Sequence, residues 1–283
     1  MPTSAWIDEP YDVLRVTRGF RLAEVDPSST PGFDGDRDDG EEELDHNHDE
    51  LGELQERLFA ESRFGGTRKV LLVLQAMDTA GKGGIIRHVI GGVDPQGVKI
   101  HAFKAPTEEE KQHDFLWRVR RQLPPPGIIG VFDRSHYEDV LIHRVQGLSA
   151  PEVIEARYGL IADFENELVA DSTTLIKVML HLSAEEQKQR LQERLDRPDK
   201  NWKYNHGDLV QRARWDDYQE AYELALRRTA TDAAPWFVVP AERKWYARVA
   251  VQRLLLTALR GLDPQWPAAD YDVEAEKKRL AAS

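Results

Sequence analysis

Hydrophobic and polar positions change period repeatedly along this chain, and the changes mark out its elements. Five short runs rich in β-branched residues predict strands: Val70 to Gln75, Val98 to Phe103, Ile128 to Asp133, Thr174 to Leu182 and Trp236 to Pro240. Four are nearly continuous apolar runs, as strands covered on both faces of a parallel sheet must be, whereas Val98 to Phe103 alternates. The stretches between them are long enough for crossover helices. The pattern therefore predicts an α/β fold, a three-layer sandwich around a mostly parallel five-stranded sheet, with no internal repeat. Thr107 with Glu110, and Ser183 with Glu186, have the capping-box spacing and predict helix starts. Longer helices are expected from Asp208 to about Thr229 and from Lys244 to about Arg260. Beyond Gly261, Pro264 and Pro267 break the pattern and a charged, frayed tail follows.

Charge changes this picture at one place. The chain has 283 residues and a formal net charge of -12. Ten acids and one base, Arg37, fall between Phe33 and Glu50, so the rest is nearly balanced. This stretch has few apolar residues to offset the entropy of ordering and is expected to be a mobile linker. His46 and His48 among its acids suggest a metal site, but carboxylates on a mobile loop do not fix a coordination geometry. The expected organisation is an N-terminal segment, 1–32, packed on the core, the acidic linker 33–50, a catalytic domain 51–265 with a lid near 184–206, and a tail 266–283. The absence of Cys excludes disulfides, thiolate metal sites and thiol catalysis. No apolar run approaches the roughly 18 to 20 residues of a membrane span. The first residues lack the basic and apolar regions of a secretory signal, so a cytoplasmic protein is expected.

The chemistry starts at the end of the first strand. Ala76-Met-Asp-Thr-Ala-Gly-Lys-Gly-Gly84 sits between a strand and a helical stretch, where a P-loop cradles phosphate with backbone amides and a lysine. Ala80, Gly81, Lys82, Gly83 and Gly84 are the expected cradle, with Arg87 further along the helix. The loop departs from the usual pattern twice. Ala76 replaces the first Gly, and Gly83 stands where a hydroxyl would ligate magnesium. Asp78 supplies the missing oxygen, and an acid inside a phosphate loop itself implies a bridging cation. The third strand ends in Asp133, followed by Arg134-Ser-His-Tyr-Glu138-Asp139, an arrangement resembling a Walker-B element that places Asp133 near magnesium and Arg134 in the same cleft. Lys188, Arg190 and Arg194 recur on the helix after Ser183, where nucleoside kinases carry a mobile lid, and Lys200 and Lys203 follow it. Lys99 and Lys104, beside the second strand, are further candidates. His88 and His136 lie near the same site, but transfer between two bound anions requires no phosphohistidine.

These motifs, with Asp94-Pro-Gln-Gly97, Phe103-Lys-Ala-Pro106 and Pro235-Trp-Phe-Val-Val-Pro240, resemble the polyphosphate kinase 2 family over roughly residues 5 to 265, apart from the acidic stretch. The resemblance implies a P-loop core with an Arg-rich lid that uses inorganic polyphosphate and magnesium, with manganese as an alternative, to phosphorylate nucleotides. It implies Asp78 and Asp133 as the metal-linked carboxylates and Lys82 and Arg134 as the catalytic cations. It implies Lys188, Arg190 and Arg194 as polyphosphate-binding lid residues, and Lys104 and Glu138 as part of the phosphate- and nucleotide-binding set. Ser135-His-Tyr-Glu-Asp139 is similar to the subgroup that accepts both AMP and ADP. A homodimer or homotetramer is implied, with adenine nucleotides, and guanine nucleotides as an alternative, as partners and neither nucleic acid nor membrane. Two alternatives stand beside this reading: an ATP-dependent nucleotide or metabolite kinase, and a nucleotide-binding protein without turnover. The second lacks a base-reading Asn-Lys-x-Asp sequence.

Overall fold

A computed structural model describes residues 5–283. Five strands, β1 (Lys69–Ala76), β2 (Val98–Ala102), β3 (Ile129–Asp133), β4 (Thr173–His181) and β5 (Trp236–Pro240), form one sheet in the order β2-β3-β1-β4-β5. Every pairing is parallel. The helices are α1 (Pro10–Val13), α2 (Arg37–Arg63), α3 (Lys82–His88), α4 (Trp117–Arg120), α5 (Ile142–Gln146), α6 (Pro151–Ala170), α7 (Ala184–Asp196), α8 (His206–Arg212), α9 (Trp215–Thr229), α10 (Lys244–Leu262) and α11 (Val273–Ala281). The three-layer α/β sandwich expected from the strand pattern is the fold observed. β1 and β5 are buried at every residue, and β4 at all but one, whereas β2, the strand with the alternating sequence, is the half-exposed edge.

The strand order decides where a ligand binds. β1 is central. The chain leaves it toward β2 on one side, while β3 leads to β4 on the other, so the crevice beyond the carboxyl ends of β1 and β3 is the topological switch point. Register pairs Leu74 with Asp133, and Arg134 N donates to Leu74 O at 3.0 Å. The loops after these two strands are thereby held side by side.

The acidic stretch is not a mobile linker. From Arg37 it belongs to α2, whose start is fixed by a capping box: Asp36 accepts from the Asp38 and Asp39 amides, and Asp39 accepts from Asp36 N. Leu44, Asn47, Leu51, Gln55 and Leu58 form one buried stripe at helical spacing, while most of the acids face outward. The stripe packs on α10, where Gln252 donates to Leu44 O and Arg253 and Arg260 bond Glu9 and Glu50 at 2.6 Å. Gly40 is required there, because a Cβ would stand 2.3 Å from Trp245. Residues 14–16 add to the free side of β5, with Val16 N donating to Trp236 O and Val238 N to Leu14 O.

Other expectations shift in detail. The helix expected from Asp208 to Thr229 is two helices, α8 and α9, parted at Ala213 and Arg214. Asn205 caps α8, and Arg212 ties it to Ala184 O and Gln187 of the α7 region. The Thr107–Glu110 box is complete, yet it opens a single turn. At Ser183 only half a box forms, because the Glu186 carboxylate accepts from Arg190 instead of reaching back. The tail is helical in α11, without a buried residue. No helix among the described residues is long and apolar enough to cross a membrane.

Candidate active site

A cleft of about 710 Å³ opens at the switch point. Its floor is the loop between β1 and α3. Gly81, at φ 119°, turns the chain into α3, and the amides of Gly81, Lys82 and Gly83 donate to no carbonyl among the described residues. No side chain or backbone stands within 4 Å of a Cβ built on Gly83 or Gly84, so the space above these glycines is open to a ligand. Lys82 is buried, with Nζ donating to Ala76 O at 3.2 Å, which holds its charge over the loop. Thr79 (φ 70°) and Arg134 (φ 64°) are non-glycine residues in the left-handed region, one in each of the two loops that form the site.

Asp78 and Asp133 both line the cleft. Arg134 Nη2 donates to Asp78 Oδ1 at 2.7 Å, whereas Asp78 Oδ2 is buried with no hydrogen-bond partner among the described residues. A buried, unpartnered carboxylate oxygen is costly unless something fills its lone pairs. No group of three or more His, Asp or Glu suited to a metal occurs among the described residues, the acidic helix with His46 and His48 included. Two carboxylates beside a phosphate cradle suit magnesium, which keeps waters and takes phosphate oxygens to complete its shell.

Arg134 lies between Asp78 and Glu138, and these two acids raise its pKa against the effect of burial. Glu138 does not line the cleft. It lies partly buried beside Arg134, and burial raises its carboxyl above the ordinary range although Arg134 and Lys82 pull it down. With its amide nitrogen facing Glu138, Gln75 donates to Glu138 Oε1 at 3.0 Å and accepts from Ser135. The turn carrying these groups is anchored below. Tyr137 donates to Glu165 Oε1 at 2.7 Å, and fully buried Lys177 donates to Glu165 Oε2 at 2.6 Å and Thr229 O at 2.9 Å.

The helix expected to carry the lid divides its bases three ways. Lys188 is exposed and does not line the cleft. Arg190 borders the cleft, but its guanidinium is committed to four carbonyls, those of Thr79, Ala80, Ala241 and Glu242, at 2.7 to 3.2 Å. It braces the phosphate loop from behind. Arg194 faces the cleft while bonded to Asp208 and Lys203 O, and Arg197, Lys200 and Lys203 continue its wall. Ala80, Gly81, Gly83, Gly84, Arg87 and Lys104 lie on the cleft with Lys82, Asp133 and Arg134. Lys99 instead bonds Leu123 O. The sequence reading overlooked Lys244 and Arg248, which α10 adds to the lining. Their four-residue spacing on the polar edge of an apolar helix was the available signal. In all, eleven Lys and Arg residues and three acids line the cleft.

A parallel sheet with a phosphate loop and a second acidic loop at its switch point defines a P-loop protein of the phosphotransferase class. Residues 34–267 match the polyphosphate kinase 2 (PPK2) family. An AMP/ADP-polyphosphate phosphotransferase of Meiothermus ruber is 48% identical over 248 residues, covering 88% of this chain and 91% of that protein. An ADP-polyphosphate phosphotransferase of Rhodopseudomonas palustris is 39% identical over 274 residues, covering 89% and 92%. The crystal structure of polyphosphate kinase 2 from Arthrobacter aurescens TC1 superposes with a TM-score of 0.97 at 57% identity, covering 98% of each chain. The chain belongs to the polyphosphate kinase 2 family. The family match begins at residue 34, so it includes the acidic stretch that the motif resemblance left aside.

Proposed function

We propose that this protein transfers a phosphoryl group from inorganic polyphosphate to AMP and ADP, giving ADP and ATP, with magnesium held by Asp78 and Asp133. The observation that carries the reading is the cleft's charge: eleven bases against three acids, in a chain whose net charge is -12. So local an excess suits two polyanions meeting in one site. The relatives named for polyphosphate and for AMP or ADP support the substrates. Manganese would serve the same carboxylates. Guanine nucleotides as further acceptors, a homodimer or homotetramer and a cytoplasmic location belong to the same proposal.

The acceptor oxygen is ionised at neutral pH, so no general base is required. What resists reaction is repulsion between the two anions. Lys82 and the free amides at the start of α3 hold donor phosphate, and Arg134 stands at the junction of the two loops to neutralise charge on the transferring group. Magnesium bound by Asp78 and Asp133 would supply the remaining charge compensation. Arg190 keeps the phosphate loop fixed while this happens.

Incubation with polyphosphate and magnesium, adding AMP or ADP, with EDTA controls and ATP as a competing donor, tests the proposal. Magnesium-dependent ADP and ATP are the expected products. Turnover with ATP alone as donor would replace the proposal with an ordinary nucleotide kinase, and product from one acceptor only would remove the dual specificity.

A further inference from the structure

One buried ion pair takes no direct part in the phosphoryl chemistry. β4 is apolar from Leu175 to Leu180 except at Lys177, which the register sets between Val73 of β1 and Trp236 of β5. Its ammonium and the Glu165 carboxylate of α6 are fully buried and 2.6 Å apart. Such a pair is no gain in stability over packed apolar side chains of similar volume, because desolvation offsets the attraction. What it supplies is direction. Lys177 Nζ donates to Tyr137 Oη at 3.1 Å and to Thr229 O at 2.9 Å, and Tyr137 Oη donates to Glu165 Oε1 at 2.7 Å. His136 Nε2 lies 3.4 Å from the same carboxylate oxygen. His136 and Tyr137 open the short turn His136–Asp139, which begins two residues after Arg134.

Arg134 needs such an anchor. Its backbone is left-handed at φ 64°, a conformation that a non-glycine residue keeps only where its surroundings over-determine it. On the cleft side the loop is tied by Arg134 N to Leu74 O and by the guanidinium to Asp78. On the core side it is tied through Tyr137 and His136 to the buried pair. We infer that Glu165 and Lys177, acting through Tyr137, are positioning residues for Arg134: they fix the level of the turn so that the guanidinium stays against Asp78 and beside the transferring group. The inference rests on the function proposed above, in whose turnover it gives the pair a share. Tyr137, Glu165 and Lys177 do not line the cleft, so their effect falls on rate rather than on substrate affinity. Apolar replacements of the pair can restore packing but not the hydrogen bonds to Tyr137, and this separates positioning from simple stabilisation.

Full-length wild type, Tyr137→Phe and the double variant Lys177→Met with Glu165→Leu are compared by urea unfolding, by kcat and KM for polyphosphate and ADP, and by crystal structures. Tyr137→Phe keeps the ring and removes one hydroxyl. It is expected to fold, to lower kcat about tenfold while each KM changes less than about twofold, and to lengthen or break the Arg134–Asp78 contact. The double variant is expected to recover most of the stability lost in Lys177→Met and to keep a rate deficit of the same size. Lost stability with wild-type kcat in Tyr137→Phe would overturn the inference, as would a rise in KM alone or a double variant with full rate. Should the double variant fail to fold, Tyr137→Phe decides by itself. A wild type without turnover from polyphosphate sinks the proposed function instead. The Arg134–Asp78 distance needs no turnover and then decides the positioning role: the same distance in Tyr137→Phe as in wild type overturns it.

Discussion

Arg134 Nη2 lies 2.7 Å from Asp78 Oδ1, joining the loops after β1 and β3 and leaving Asp78 Oδ2 buried and open. One carboxylate thus orients the arginine and still has an oxygen for a cation. Asp78→Asn and Asp133→Asn are each expected to lower kcat by about 100-fold or more with the fold retained. Steady-state rates measured with circular dichroism check this, and near wild-type turnover in either variant would take that carboxylate out of the metal role.

Arg190 provides a sharper test, because its position in sequence and its position in space imply different roles. As a brace between the phosphate loop and residues 241–242, its loss leaves four carbonyls without their donor. Arg190→Ala should cost about 2 to 4 kcal/mol of stability and reduce kcat. Arg190→Lys should recover little, since one ammonium cannot span all four carbonyls. A Lys variant with normal stability and activity would restore Arg190 to a mobile, substrate-binding role.

Beneath the site, Lys177 and Glu165 are a fully buried ion pair. Burial pushes the Glu165 carboxyl up, but Lys177 and His136 hold it below the ordinary range. Lys177→Met strands that charge and should cost about 3 to 5 kcal/mol, whereas Lys177→Met combined with Glu165→Leu should cost less than the single change. Urea unfolding of the two variants measures the difference.

Glu138 carries a pH signature. Its carboxyl titrates above the ordinary range because of burial, against the pull of Arg134 and Lys82. The folded protein therefore binds this proton more tightly than the unfolded chain does. The associated stability is complete below the ordinary carboxylate range and is lost as pH rises through the elevated pKa. Glu138→Gln should melt above wild type at neutral pH, with the gap narrowing on acidification. A gap independent of pH between 4 and 8 would show that the ionised carboxylate carries no such cost.

The strands and both acidic loops were legible because each rests on a local signal: continuous apolar runs, or a loop chemistry that only phosphate requires. The acidic helix was not. Its buried stripe is built partly from Gly40, Asn47 and Gln55, which read as polar or flexible until the fold sets Gly40 against Trp245, bonds Asn47 to Glu43 and lays Gln55 against Gly97. The bracing bonds of Arg190 were hidden for a related reason. Spacing places it on the correct helix, but only the fold shows that carbonyls of two separate loops converge on its guanidinium. Capping tests the helix directly: Asp36→Ala should lower stability by about 1 kcal/mol, where a mobile linker would lose nothing.

The packing of α2 against α10 also sets an order of events during synthesis. Leu44, Leu51 and Leu58 leave the ribosome early, yet the helix that covers them is made after all five strands. Until α10 emerges, the acid-rich helix lacks its main packing surface, whereas β5, made just before, is already free to pair with residues 14–16. Helix α2 must wait for α10, so a ribosome stalled before Lys244 holds a nascent protein whose leucine stripe is still largely uncovered, a liability that the finished fold conceals.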